Sequence, residues 1–221
     1  MSVHMKREID KLKSKLLSLC RVVEESFLQA VKSIKEQNAN LAKKVIKADI
    51  KIDHMEVDVE EECLKILALY QPVAIDLRFI ITALKINNDL ERIGDLAVNI
   101  AERSQFLADQ PKIDVPFDFD RMAVKTQLML RKSLDALVNM DCKLAHEVCA
   151  ADDEVDTINR KIYNQVKDNI RSHPEWLESL IHLLSVSRDL ERIADHTTNI
   201  AEDVIYMAKG EVVRHRTEDY K

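Results

Sequence analysis

Apolar residues recur at threes and fours along almost the whole chain, beginning with Ile9, Leu12, Leu16, Leu19, Val23, Phe27, Ala30, Val31 and Ile34. That spacing is one stripe of a 3.6-residue helix and predicts a first amphipathic helix ending near Asn38-Ala39-Asn40. The pattern resumes from about Leu41 to Tyr70 and breaks at Gln71-Pro72. With Pro72 in a first-turn position, a third helix is predicted to run to about Ala108. Asp109 to Asp120 contains Pro111 and Pro116 and loses the period, which marks a linker. Beyond it, helices are predicted near 120–140, 142–171 and 175–209, the last closed by Gly210. The one strand-like run, Phe79-Ile80-Ile81-Thr82, lies within helical spacing and is read as helix.

The second set of helices repeats the first. Residues 89–102 read Asp-Leu-Glu-Arg-Ile-Gly-Asp-Leu-Ala-Val-Asn-Ile-Ala-Glu, and residues 189–202 read Asp-Leu-Glu-Arg-Ile-Ala-Asp-His-Thr-Thr-Asn-Ile-Ala-Glu. Earlier in each copy the offset is 103, pairing Phe27 with Leu130, Leu41 with Leu144 and Ala48-Asp49 with Ala151-Asp152. It falls to 100 past the proline corners, Tyr70-Gln71-Pro72 and Ser172-His173-Pro174, because the second copy is shorter there. Short connections make neighbouring helices antiparallel, so the expected fold is all-α. It consists of two tandem three-helix bundles, 1–110 and 117–212, in an elongated six-helix molecule. Helices of about 30 residues are roughly 45 Å long.

Composition supports long helices with few turns, since only two glycines and four prolines occur in 221 residues. A chain of this size buries roughly 70% of its unfolded surface and needs no disulfide staple. Cys20, Cys63, Cys142 and Cys149 show no Cys-x-x-Cys spacing and are read as buried, reduced thiols of a cytoplasmic protein. The net charge of −6, with Lys and Arg interspersed among Asp and Glu, argues against a nucleic-acid grip. No uncharged apolar run of about 18 residues and no signal peptide is evident, so a soluble protein is expected, peripheral to a membrane through partners at most.

The repeat also concentrates carboxylates. On a helix turning about 100° per residue, Glu91, Asp95 and Glu102 fall within roughly 40° of one another, while Leu90, Ile93, Ala97 and Ile100 cluster on the far side. Glu191, Asp195 and Glu202 do the same in the second copy, with Asn99 and Asn199 one turn beyond each pair. A second repeated pair stands on the middle helices: Asp49 and Asp53, Asp152 and Asp156. Like charges at i,i+4 cost a helix about 0.2–0.5 kcal/mol per pair, so four such placements at equivalent positions call for compensation. A bound cation would supply it. All-oxygen ligands suit magnesium, manganese and ferric iron, and carboxylates also take zinc.

His54 and His196, beside Asp53 and Asp195, are read as exposed or capping histidines and secondarily as nitrogen donors. Glu56 and Glu60 extend the Asp49/Asp53 stripe, but the second copy has Asn159 and Tyr163 there, so both are read as surface charges. Arg92 and Arg192 are expected to pair with Asp89 and Asp189 or with Asp95 and Asp195, and secondarily to contact an anion. Trp176, just past the Pro174 corner, is read as a cap on the bundle end.

At residues 189–202 the sequence resembles the signature of the PhoU family of phosphate-transport regulators, and the likeness in length and duplicated plan covers nearly the whole chain. The first copy departs from the signature at Leu96, where the second has His196. The resemblance implies two PhoU-type bundles carrying multinuclear iron or zinc clusters. The ligands it implies are Asp49, Asp53, Glu91, Asp95, Asp152, Asp156, Glu191 and Asp195, extended by Asn99, Glu102, Asn199 and Glu202. It further implies a homodimeric negative regulator of phosphate uptake that contacts the ATPase of the phosphate ABC transporter and a phosphate-sensing histidine kinase.

No nucleophile-base pair, Gly-rich phosphate loop or dinucleotide fingerprint occurs, so a non-enzymatic role is expected. A ferritin-like carboxylate-bridged oxidase needs Glu-x-x-His pairs, and none of the seven histidines has Glu three residues before it. The remaining alternative is a metal-free helical adaptor whose acidic faces dock a basic partner.

Overall fold

The computed structural model describes residues 3–113 and 117–211. Residues 1, 2 and 212 of the expected bundles, and 114–116 of the expected linker with its Pro116, lie outside the described residues. Six long helices follow one another: α1 (Val3–Lys35), α2 (Ala39–Tyr70), α3 (Ala74–Ala108), α4 (Phe119–Asn139), α5 (Cys142–Ser172) and α6 (Leu177–Lys209). No strand occurs among the described residues, and Phe79–Thr82 is helical. Five of the six helices exceed 30 residues, which at 1.5 Å per residue makes them roughly 46–52 Å long.

The first and fourth helices stop by the same device. Gln37 and Met140, 103 positions apart, both adopt left-handed backbone (φ 48° and 53°) and turn the chain back on itself. The next residue caps the following helix. Asn38 accepts a hydrogen bond from Leu41 N at 3.0 Å, and Asp141 accepts from Lys143 N and Leu144 N at 2.9 and 3.1 Å. The proline corners differ, as the changing offset requires. α3 starts at Ala74 rather than Pro72, whereas Pro174–Trp176 forms a 3-10 turn on which Trp176 stacks against His173, centroids 4.0 Å apart, before α6 begins at Leu177.

α1, α2 and α3 pack mutually as one bundle, and α4, α5 and α6 as the other. α3 and α6 lie at the centre and pack on each other, so one hydrophobic core runs through both bundles, from Leu12, Phe27 and Ile52 to Ile93, Ile193 and Val204. α2 and α5 are the outermost helices, each resting only on the two other helices of its own bundle apart from α5's contact with the 3-10 turn. The cysteines divide: Cys20 and Cys63 are buried, with thiols pushed up to about 12 chiefly by burial, while Cys142 and Cys149 are half-buried, against the expectation that all four would be core. All four are free thiols.

Candidate metal faces

The packing of α2 on α3 brings the two acidic motifs of the first bundle together. Asp49, half-buried, has its carboxyl raised to about 6 by burial first, then by Asp53 on its own helix and Asp95 on α3. Glu91 is raised by burial and Asp95, with Glu56 and Asp53 adding to the effect and Arg92 opposing it. The packing of α5 on α6 does the same in the second bundle. Asp152 rises to about 7 through burial, Asp195, Asp156, Asp153 and Glu191. Glu191 and Asp195 are raised by burial and by their acidic neighbours.

One atom in each face stands out. Oδ1 of Asp49 and Oδ1 of Asp152, at equivalent repeat positions, are shut off from solvent and have no hydrogen-bond partner. An orphaned buried carboxylate oxygen costs about 1–3 kcal/mol or more, and here the same cost recurs in both copies. The α3 backbone passes close by. A Cβ added to Gly94 would stand 3.6 Å from Asp49 Oδ1 and 3.2 Å from Ile52 Cδ1. The second copy resolves the same spot with Ala194 and the smaller Val155.

Among the described residues, no three carboxylate, imidazole or thiolate groups already converge as a ligand set. The donors nevertheless fit a hard cation in chemistry and in sign: they are oxygens, they repel one another, and each face holds one oxygen that nothing else satisfies. The remaining candidates are dispersed. Glu102 is exposed, with Arg103 Nη1 at 3.8 Å, Asn99 and Glu202 are half-buried, and Asn199 donates to Asp89 at 3.3 Å across the seam between the bundles. Arg92 Nη1 lies 3.4 Å from Asp95, the i,i+3 pairing anticipated from sequence. His54 is exposed, and His196 points away from the acidic face, with Nδ1 2.8 Å from Asp89 Oδ1.

Sequence reasoning missed several polar residues. Asp89 and Asp189 are buried in the α3–α6 seam. Asp89 accepts from His196 and Asn199. Asp189 keeps one oxygen unpartnered, and burial raises it to about 6 against the pull of Arg103 and Arg192. The repeat itself carried the signal, because the residue matching His196 is Leu96, which has no donor. Glu56 is not a surface charge: Asn87 donates to its carbonyl and to its carboxylate, both at 3.0 Å. Ser187 and Asn159 make the matching tie at 2.6 Å. Glu62, buried on α2, is held well below the usual carboxylate range, because hydrogen bonds from Lys11 (2.7 Å) and Lys65 (3.1 Å) outweigh the opposing effect of burial.

The cleft of about 270 Å³ lined by Leu16, Phe79, Leu137, Met140 and Met207 has mainly apolar walls and includes none of the candidate ligands. These features define a duplicated three-helix-bundle protein with one acidic face per copy.

Comparison with known proteins gives this class its family. The PhoU domain model matches twice, over residues 16–104 and 119–204. The phosphate-specific transport system accessory protein PhoU homolog 1 of Thermotoga maritima is 37% identical over 94% of this chain and 90% of its own length. The homolog from Aquifex aeolicus is 37% identical over 95% of each chain. The crystal structure of PhoU from Pseudomonas aeruginosa superposes with a TM-score of 0.89 at 33% identity, covering 93% of this chain and 99% of that one. The phosphate transport system regulatory protein PhoU from Streptococcus pneumoniae superposes with a TM-score of 0.83 at 26% identity, covering 95% and 99%. The chain belongs to the PhoU family.

Proposed function

We propose that this protein is a non-enzymatic, metal-binding negative regulator of phosphate uptake and of phosphate-starvation signalling. It acts in the cytoplasm, as a homodimer, by contact with the ATPase of a phosphate ABC transporter and with a phosphate-sensing histidine kinase. Support for the physiological part comes from relatives named as accessory and regulatory proteins of phosphate transport. Among the described residues no helix is long and apolar enough to cross a membrane, in keeping with action through partners.

The observation that carries the metal-binding part is the pair of buried, unpartnered oxygens on Asp49 and Asp152. Asp49, Asp53, Glu91 and Asp95 would hold cations on the first face, and Asp152, Asp156, Glu191 and Asp195 on the second. Iron or zinc is the leading assignment, with manganese or magnesium as alternatives. A bound cation supplies positive charge where four carboxylates crowd together. The side chains contribute oxygen donors from two helices at once, so occupancy ties α2 to α3 and α5 to α6.

Phosphate uptake and expression of phosphate-starvation genes, measured in cells lacking this protein, test the regulatory role. Derepressed uptake in phosphate-rich medium is the expected result. Normal repression, with no paralogue present, would overturn it.

A further inference from the structure

Arginine stands at the same step of both repeated motifs, Arg92 in the Leu-Glu-Arg-Ile of α3 and Arg192 in that of α6, yet the two make different contacts. Arg92 lies across two candidate ligands of the first face: Nε is 3.4 Å from Glu91 Oε2, and Nη1 is 3.4 Å from Asp95 Oδ2. One guanidinium thus ties together the two carboxylates that α3 offers to a cation. Among the described residues Arg192 makes no such pair. Its charge acts on Glu191 and Asp195 from further off, as do Arg188 on Glu191 and His196 on Asp195. The α6 carboxylates of the second face therefore have no side-chain cation in contact with them.

The seam gives this difference a cause. Asp89, three residues before Arg92, accepts from His196 and Asn199 of the other bundle, which leaves Arg92 to the outward carboxylates. Asp189, three residues before Arg192, belongs to the copy that meets Leu96 instead of a histidine. It keeps an oxygen unpartnered and lies in the field of Arg103 and Arg192. Arg192 is thus divided between a buried carboxylate behind it and two carboxylates in front.

A guanidinium and a metal ion cannot hold the same carboxylate oxygens. In the metal-free protein Arg92 offsets the mutual repulsion of Glu91 and Asp95. A divalent cation carries twice the charge and sits at about 2.0–2.6 Å from its oxygens, so it can enter only by pushing the guanidinium off. Arg92 is 52% exposed, and it can leave toward water without disturbing the core.

We propose that Arg92 is the resident counter-cation of the first acidic face, displaced toward solvent when a divalent cation binds there, and that the second face has no such exchange. This rests on the reading that both faces hold metal, and it adds how one of them is regulated. Binding at the first face swaps a guanidinium for a metal ion and turns a positive side chain outward; binding at the second is addition alone.

The test titrates manganese(II), an ion that prefers oxygen ligands, into full-length protein stripped of metal, with the free ion followed by its electron paramagnetic resonance signal. Glu191→Gln/Asp195→Asn isolates the first face, and Glu91→Gln/Asp95→Asn isolates the second. Adding Arg92→Gln to the first background should tighten binding at least about fivefold, because the ion no longer has two ion pairs to break. Adding Arg192→Gln to the second should tighten it less than about twofold. Helical circular dichroism, equal in all variants, keeps the comparison among folded proteins. Unchanged affinity on Arg92→Gln, or an equal gain on Arg192→Gln, would overturn the proposal while leaving the metal reading in place. Absence of manganese binding by the wild type would overturn both.

Discussion

Asp89 and Asp189 occupy the same place in the two halves, yet Asp89 accepts from two side chains of the other half while Asp189 keeps an oxygen unpartnered. His196 and Asn199 reach Asp89 across the α3–α6 seam, and because a carboxylate can only accept, the histidine proton sits on Nδ1. Asp189 faces a copy in which that histidine is Leu96, and its carboxyl rises from 3.8 to about 6. Between those values the folded protein binds more protons at this site than the unfolded chain, so the site's contribution to stability falls as pH rises through the window. Asp189→Asn removes that loss. Urea midpoints should show the variant gaining on the wild type from about pH 4 to about pH 6 and keeping the gain above it. An identical pH profile for the two proteins would contradict the assignment.

Each helix is legible in the sequence to within a few residues, because the apolar period and the proline corners agree locally. What periodicity does not reveal is the depth of the contacts between helices. Glu56 looked like a surface charge because its copy is Asn159, whereas in both halves that residue ties the middle helix to the last one, through Asn87 or Ser187. Burial of Asp89 and Asp189 was equally hidden, since a charged residue in an amphipathic repeat reads as solvent-facing until the second bundle is laid against it. The acidic faces were legible for the opposite reason: duplication repeated them where a merely solvated surface would have drifted.

Gly94 belongs to the same scale. It costs α3 about 1 kcal/mol of helix propensity relative to alanine, and a Cβ there would press on the fully buried Ile52 at 3.2 Å. The second copy carries Ala194 with Val155, which predicts coupling in a double-mutant cycle. Ile52→Val alone should cost about 0.5–1.5 kcal/mol, and in the Gly94→Ala background distinctly less, measured by urea denaturation. Strict additivity would show that the two sites do not share the space.

Across the whole molecule the arrangement assigns different duties to different surfaces. The central helices α3 and α6 join the bundles through one continuous core, and the outer helices α2 and α5 each complete an acidic face with the central helix of their own bundle. A cation on either face would brace a bundle without touching the seam. Neither Glu191 nor Asp195 lies in the core, so Glu191→Gln/Asp195→Asn should leave the helical signal in place. Elemental analysis of the wild-type protein and this double variant, both prepared without chelator or a metal-binding tag, tests the central claim most directly. The account predicts bound metal in the wild type and a marked loss in the variant at equal helicity. A wild-type protein free of metal, or a variant with unchanged stoichiometry, would contradict it.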